Sequence, residues 1–250
     1  MRLPQAFFAR PITHRGLHDV TDGRPENSRE AIQAAIDANY GIEIDLQLSQ
    51  DGAAMVFHDY HLGRLTEAEG PMAQRSSADL QSIPLKGGES GVPTLAEVLD
   101  LVGGQVPLLI EIKDQDGQMG PNVGALEQAT AAALKGYKGA VAVMSFNPHA
   151  TAAFRDAAPD VPRGLVTSAY APYNWATLPT LVCDTLRHIP DYDRTEACFI
   201  SHEAADLDRP RVADLKAAGA AILCWTIRSA AEEAKARQIA DNVTFEGYLA

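Results

Sequence analysis

Little in this 250-residue chain suits a soft metal or a disulfide framework. The three cysteines, Cys183, Cys198 and Cys224, are odd in number, sit among apolar neighbours and show neither CxxC nor Cys/His spacing. They read as buried, reduced thiols. Positive charge is also scarce: 21 Lys and Arg stand against 33 Asp and Glu, a net charge of -12. Nucleic-acid binding rests on neutralising phosphates with a cationic surface, so nucleic acid is excluded as a general partner, although one phosphate can still be held locally. No run approaches the roughly 18 uninterrupted apolar residues that span a bilayer, so stable membrane insertion is not expected. The N-terminal MRLPQAFFARPITHRG is broken by Pro4 and lacks the apolar core of a signal peptide, which makes a cytoplasmic location the expectation. Low-complexity tracts and a Gly-rich dinucleotide fingerprint are missing too, and the second absence speaks against an open, doubly wound nucleotide-binding sheet.

What is present is an alternation. Eight short apolar or β-branched runs recur: Pro11 to Arg15, Gly41 to Ser49, Pro107 to Lys113, Ala140 to Phe146, Arg163 to Thr167, Cys198 to His202, Ala220 to Ile227 and Val243 to Gly247. Between them lie segments with helix-starting chemistry: Asn27 before SREAIQAAIDA, Thr94 with Glu97, Asn147 before Pro148, and Ser229 with Glu232. Buried strands alternating with amphipathic helices imply a parallel sheet, and eight such units predict an α/β fold, a closed (β/α)8 barrel, as one domain over residues 1–250. A short surface insertion over about residues 60–92 contains the loosest stretch, Glu67 to Gly91. One further run, Ala53 to His58, follows the hairpin signal Asp51-Gly52 and is expected to pair antiparallel with the second barrel strand. A two-residue loop there would set Gln50 opposite Ala53 and Asp45 opposite His58; a longer loop would shift that register.

Charged residues interrupt two of these runs with a period of two: Glu43 and Asp45 on one, Glu111 and Lys113 on the other. Alternate residues share a face. Charges at the C-terminal ends of apolar parallel strands are costly to bury unless paired or metal-bound, and that end of a barrel holds the active site. Three carboxylates form a hard-oxygen set suited to one divalent cation, Mg2+ or Ca2+, rather than to zinc. The plainer reading is a set of salt bridges from Glu43, Asp45 and Glu111 to Arg15 and Lys113. His14 ends the first strand and His58 the hairpin strand, and two imidazoles supply the base and the acid that phosphodiester cleavage needs. Arg15 is shaped to grip phosphate oxygens bidentately, and Lys113 to offset charge that builds up in the transition state. Three acids converging beside two histidines favour a metal site over isolated salt bridges.

These residues carry a resemblance. THRGLHD (13–19), PENSREA (25–31), GIEIDLQLSQDG (41–52), MVFHD (55–59), LLIEIK (108–113) and CWTI (224–227) resemble, in order and over most of the chain, the glycerophosphodiester phosphodiesterase family. The resemblance implies a TIM barrel that hydrolyses a small-molecule glycerophosphodiester to glycerol 3-phosphate and an alcohol. By the same likeness Glu43, Asp45 and Glu111 bind the cation, His14 and His58 form the acid–base pair, and Arg15 and Lys113 hold the phosphate. It further implies attack by the neighbouring glycerol hydroxyl through a cyclic phosphate, which the residues themselves do not distinguish from direct attack by water.

Other positions are read two ways. Asn27 is either a phosphate contact or simply a helix cap. Trp225, and with it Phe146, is either a wall of the substrate pocket or an ordinary core aromatic. His18 and His61 are expected at the surface. Glu246, in VTFEGYLA, stands where many family members carry Asp, and no site role is assigned to it. The chain leaves no room after its eighth strand for a further helix, so the Met1 to Phe8 segment or a neighbouring subunit of a homo-oligomer is expected to cover the outer faces of the last and first strands. The rival functions are a lysophospholipase D-type phosphodiesterase, which the short polar insertion disfavours, and a non-catalytic phosphate-sugar binding barrel, which would not need both histidines.

Overall fold

The computed structural model describes residues 1–250. Nine strands follow in chain order: β1 (Ile12–Thr13), β2 (Gly41–Leu48), β3 (Ala54–Val56), β4 (Leu108–Ile112), β5 (Val141–Ser145), β6 (Arg163–Thr167), β7 (Phe199–Glu203), β8 (Ala221–Ile227) and β9 (Asn242–Phe245). All but β3 are parallel and hydrogen-bonded in sequence, and β1 closes the ring by pairing with both β9 and β2. The result is the expected eight-stranded barrel, with β3 bonded antiparallel outside it on β2. Helices α1 (Arg29–Asp37), α3 (Leu95–Val102), α4 (Ala125–Leu134), α5 (Pro148–Ala157), α6 (Thr180–Arg187), α7 (Pro210–Ala217) and α8 (Ala230–Ala236) fill the connections, and α2 (Ser77–Ser82) lies in the insertion. None is long and apolar enough to cross a membrane.

Strand parity sorts the barrel walls. Ile42, Ile44 and Leu46 of β2 join Ile110 and Ile112 of β4 in the core against Ile32, Val98 and Leu99 of the helices. The intervening positions therefore point into the barrel. Below the charged residues the interior is filled by Ile12, Leu109, Ala142, Phe199 and Leu223 together with Phe7. Phe7 is fully buried, worth about 1.5–3 kcal/mol of apolar burial. The carboxamide of Asn242 donates to the carbonyls of Phe7 and Arg10, both at 2.6 Å, and ties the segment down. The N-terminal residues thus plug the barrel end instead of covering an outer wall. The outer side of β9 is closed from elsewhere: Phe245 meets the rings of Tyr40 and Tyr248 edge-on at 5.0 and 5.3 Å, and Val243 and Phe245 are buried.

Two expectations near the hairpin are corrected. Leu46 pairs with Val56, Gln47 with Met55 and Leu48 with Ala54. The loop is therefore three residues, Gln50 to Gly52, and the amide of Phe57, not of His58, donates to the carbonyl of Asp45 (2.9 Å). The reason is local. A two-residue type I′ loop needs positive φ at both residues, and only Gly52 has it, at +83°. The Ser49 hydroxyl instead accepts from Ala53 N and donates to Asp51, stabilising the longer turn. The insertion is also less loose than its composition implied. Leu62, Leu65, Met72, Leu80 and Leu85 pack with Met55, Phe57 and Val92 into a small core of their own.

Candidate active site

Register between β2 and β4 builds the acidic floor. Asp45 lies beside Glu111 and Glu43 beside Leu109, so all three carboxylates face inward. They are 1–7% exposed, and one oxygen from each falls within 4.8 Å of the others. Lys113, two residues along β4, puts Nζ 2.7 Å from both Asp45 Oδ1 and Glu111 Oε1. Arg15 Nε stands 3.3 Å from Asp45 Oδ2, and its Nη1 donates to Glu26 Oε1 at 2.7 Å. The expected salt bridges are therefore present, yet they do not exhaust the negative charge. Glu43 has no cationic partner; one of its oxygens accepts only the backbone amide of Arg15 (2.9 Å).

Electrostatics records this asymmetry. Burial alone would push the Asp45 carboxyl up, but Lys113, His58 and Arg15 around it hold it far below the usual range. Burial, reinforced by Asp45 and Glu111, drives Glu43 well above its ordinary value. Lys113 is raised despite its burial, because Asp45 and Glu111 favour its charged form. A buried hard-oxygen cluster with one uncompensated acid fits a divalent cation of the Mg2+ or Ca2+ type.

The first βα turn carries His14, Arg15 and Gly16. Gly16 sits at φ +79°, and a Cβ there would come within 2.9 Å of Ala31 at the start of α1. The glycine lets the helix pack directly beneath the site. Gly16→Ala is expected to cost about 1–3 kcal/mol from strain and overpacking, measured as a lowered denaturation midpoint; an unchanged midpoint would show that the turn relaxes freely.

His14 and His58 both reach a cavity of about 180 Å³ that is also lined by Arg15, Glu43, Glu111, Lys113, Phe146 and Trp225. His58 arrives there although the predicted pairing with Asp45 is wrong. The chain leaves the ladder after Val56, and Gln47 Nε2 donates to the His58 carbonyl (3.1 Å). Each imidazole is held at Nδ1 by a carboxylate: His14 by Glu246 Oε2 at 2.5 Å, His58 by Asp59 Oδ1 at 2.6 Å. Burial lowers the His14 pKa, with Arg15 adding to the effect and Glu246 and Asp45 opposing it.

Among the remaining residues singled out in the sequence, Trp225 and Phe146 do form one wall. Their rings meet edge-on at 5.4 Å, and Trp225 Nε1 donates to the Ser201 carbonyl (3.0 Å). Asn27 is not a helix cap. Ser28 caps α1 by accepting from Ala31 N, while Asn27, at φ +59°, donates to Asp45 Oδ2 (2.9 Å) and accepts from Asp45 N (3.2 Å). Its carboxamide aims the aspartate. His61 is exposed as expected, but His18 is only partly so, with Nε2 3.6 Å from Glu246. Sequence reasoning missed Glu246, Asp59 and their partners Arg228 and Arg64. Asp59 was legible as the neighbour of His58, and Glu246 as the next inward position after Asn242 and Thr244.

The sequence profile of the glycerophosphoryl diester phosphodiesterase family matches residues 14–243. The chain is 26% identical over 234 residues to YhdW of Bacillus subtilis, provisionally named a glycerophosphodiester phosphodiesterase, covering 90% of this chain and 88% of that one. It is 30% identical over 165 residues to the glycerophosphodiester phosphodiesterase of Caldanaerobacter subterraneus, covering 62% and 65%. Its fold is similar to that of an Oleispira antarctica phosphodiesterase solved with the product sn-glycerol-3-phosphate, with a TM-score of 0.78, 23% identity and coverage of 96% and 94%.

Proposed function

The chain belongs to the glycerophosphoryl diester phosphodiesterase family, and from that premise we propose that it hydrolyses glycerophosphodiesters to glycerol 3-phosphate and an alcohol, with His14 and His58 as the acid–base pair. The observation that carries this reading is the pairing of two imidazoles, each gripped at Nδ1 and so free at Nε2, over a floor of three buried carboxylates. Arg15 and Lys113 hold the phosphate oxygens, the first through its planar fork and the second as a point charge. One imidazole takes the proton of the attacking oxygen, that of water or of the neighbouring glycerol hydroxyl, as it bonds to phosphorus; where the hydroxyl attacks, water then opens the cyclic phosphate to glycerol 3-phosphate. The other delivers a proton to the oxygen of the departing alcohol, so no free alkoxide is released.

Glu43, Asp45 and Glu111 would hold one Mg2+ or Ca2+, which when bound supplies Lewis acidity and neutralises phosphate charge. Trp225 and Phe146 offer an apolar wall to the carbon skeleton, and Asn27 serves the phosphate indirectly by fixing Asp45. A panel of glycerophosphodiesters assayed with and without chelator tests the reading. Glycerol 3-phosphate released only in the presence of divalent cation is the expected result; turnover indifferent to chelation, or free glycerol as the product, would overturn it.

The lowered pKa of His14 has a consequence for pH. A base works only when neutral, so depressing its pKa extends activity towards acid. If His14 is the base, the acid limb of kcat/KM should lie below about pH 6.5, the ordinary histidine value. A limb well above that value in the pH profile would exclude His14 from the role.

A further inference from the structure

The mechanism above uses the free Nε2 of His14 but does not explain how its Nδ1 is held, and the residue that does so arises at the far end of the chain. Glu246 follows β9 immediately. Inward positions on that strand alternate through Asn242 and Thr244, so Glu246 emerges at the mouth beside the end of β1. Its carboxylate is used at both oxygens. Oε2 meets His14 Nδ1 at 2.5 Å, and Oε1 forms an ion pair with Arg228 Nη2 at 2.7 Å. The pattern recurs at the other imidazole, where Asp59 Oδ1 meets His58 Nδ1 at 2.6 Å and Arg64 Nε reaches Asp59 Oδ2, also at 2.6 Å. Two histidines from separate elements thus carry the same histidine–carboxylate–arginine arrangement.

We propose that Glu246, braced by Arg228, is a positioning residue that fixes His14 in its Nδ1–H tautomer, leaving the Nε2 lone pair turned to the substrate. A carboxylate accepts and cannot donate, so its contact with Nδ1 requires the proton on that nitrogen in the neutral ring. Rotation of the imidazole would break this contact; the hold of Arg228 on Oε1 keeps the acceptor in place while the ring exchanges its Nε2 proton, and His18 Nε2 stands 3.6 Å from the same Oε2 that His14 meets. Glu43, His58, Lys113 and Arg228 share the cavity with His14, and besides Glu246 the charges that act on it most are Arg15 on its own turn and Asp45 on β2. Neither hydrogen-bonds to Nδ1, so Glu246 alone selects the tautomer. Glutamate length matters as well: from the end of β9 the carboxylate spans both His14 and Arg228, and an aspartate, one methylene shorter, would have to give up reach to one of them.

The inference rests on the acid–base role proposed for His14, and its test separates the two. Histidine-15N spectra of the Mg2+-loaded wild-type protein report the tautomer directly; the expected signal for His14 is Nδ1–H with unprotonated Nε2. In Glu246→Gln the amide can either donate or accept, so the tautomers are expected to mix and kcat to fall about 100-fold, with KM unchanged. Glu246→Asp should recover part of the loss, and Arg228→Ala should lose less than Glu246→Gln. A wild-type His14 in the Nε2–H form overturns the proposal even if the variants fail to fold. So does a Glu246→Gln enzyme as fast as wild type when His14→Ala is crippled; if His14→Ala itself retains full turnover, the acid–base reading falls instead.

Discussion

His14→Ala and His58→Ala are each expected to lower kcat by about 10²- to 10⁴-fold, the usual contribution of a positioned acid or base, with the fold intact. Neither substitution strands a charge, because Glu246 keeps Arg228 and Asp59 keeps Arg64 when the imidazole is gone. Binding of a non-hydrolysable diester should also persist, since Arg15 and Lys113 remain. Steady-state kinetics beside thermal denaturation checks both parts. A diester with an acidic leaving alcohol goes further, because such an alcohol departs without a proton. The variant whose defect shrinks on that substrate has lost the acid, and the variant whose defect persists has lost the base. If either single variant turns over ordinary substrate at the wild-type rate, that residue is no member of the pair.

The acidic floor should divide into two kinds of carboxylate. Asp45→Ala leaves Lys113 and Arg15 without the anion they share and the Asn27 carboxamide without its partner. Removing one member of a buried ion pair costs about 3–5 kcal/mol, so this variant should be both inactive and markedly less stable. Glu43→Gln replaces a carboxyl that forms no salt bridge and that burial, Asp45 and Glu111 push towards its neutral form. It should abolish divalent-ion binding in calorimetry, yet leave the metal-free protein as stable as wild type or more so.

The pH dependence follows the same split. Asp45, depressed in the folded state, contributes stability above its unfolded pKa of about 3.9 that is lost as pH falls through the lower folded value. Glu43, raised in the folded state, contributes stability below its unfolded pKa of about 4.3, and this is lost as pH rises through the raised value. Metal affinity should therefore weaken as pH falls, because Glu43 must be ionised to hold the cation, and a pH series of binding isotherms checks this. Equal destabilisation in Asp45→Ala and Glu43→Gln would contradict the charge distribution described here.

How far these features were legible in advance depended on the range of the interaction involved. The period-two spacing of Glu43 with Asp45, and of Glu111 with Lys113, is a property of one strand and needs no partner to be read. The caps at Thr94, Asn147 and Ser229 are equally local, each closing on an amide within three residues. The hairpin marks the limit. Asp51-Gly52 announced a turn, but its length was settled by the Ser49 hydroxyl and by which residue adopts positive φ, and a single added residue moved Phe57 into the place expected for His58. The reading of Asn27 as a helix cap failed for a similar reason. Its sequence neighbours suit a cap, while its actual partner, Asp45, lies 18 positions away on β2.

By itself the sequence determined the repeat of strand and helix, the inward parity of the acids, the two imidazoles and the family to which they point, because each is written in residue type at short spacing. Only the tertiary structure decided that Phe7 plugs the barrel, that Asn27 aims Asp45, that Glu43 is the uncompensated acid, and that Glu246 grips His14 across 232 positions. The first and last of these depend on closure of the ring, which brings β9 against β1 and Glu246 and Asn242 against the start of the chain. No local pattern of hydrophobicity or capping encodes that meeting; it exists only once the barrel's shared core has drawn the strands together.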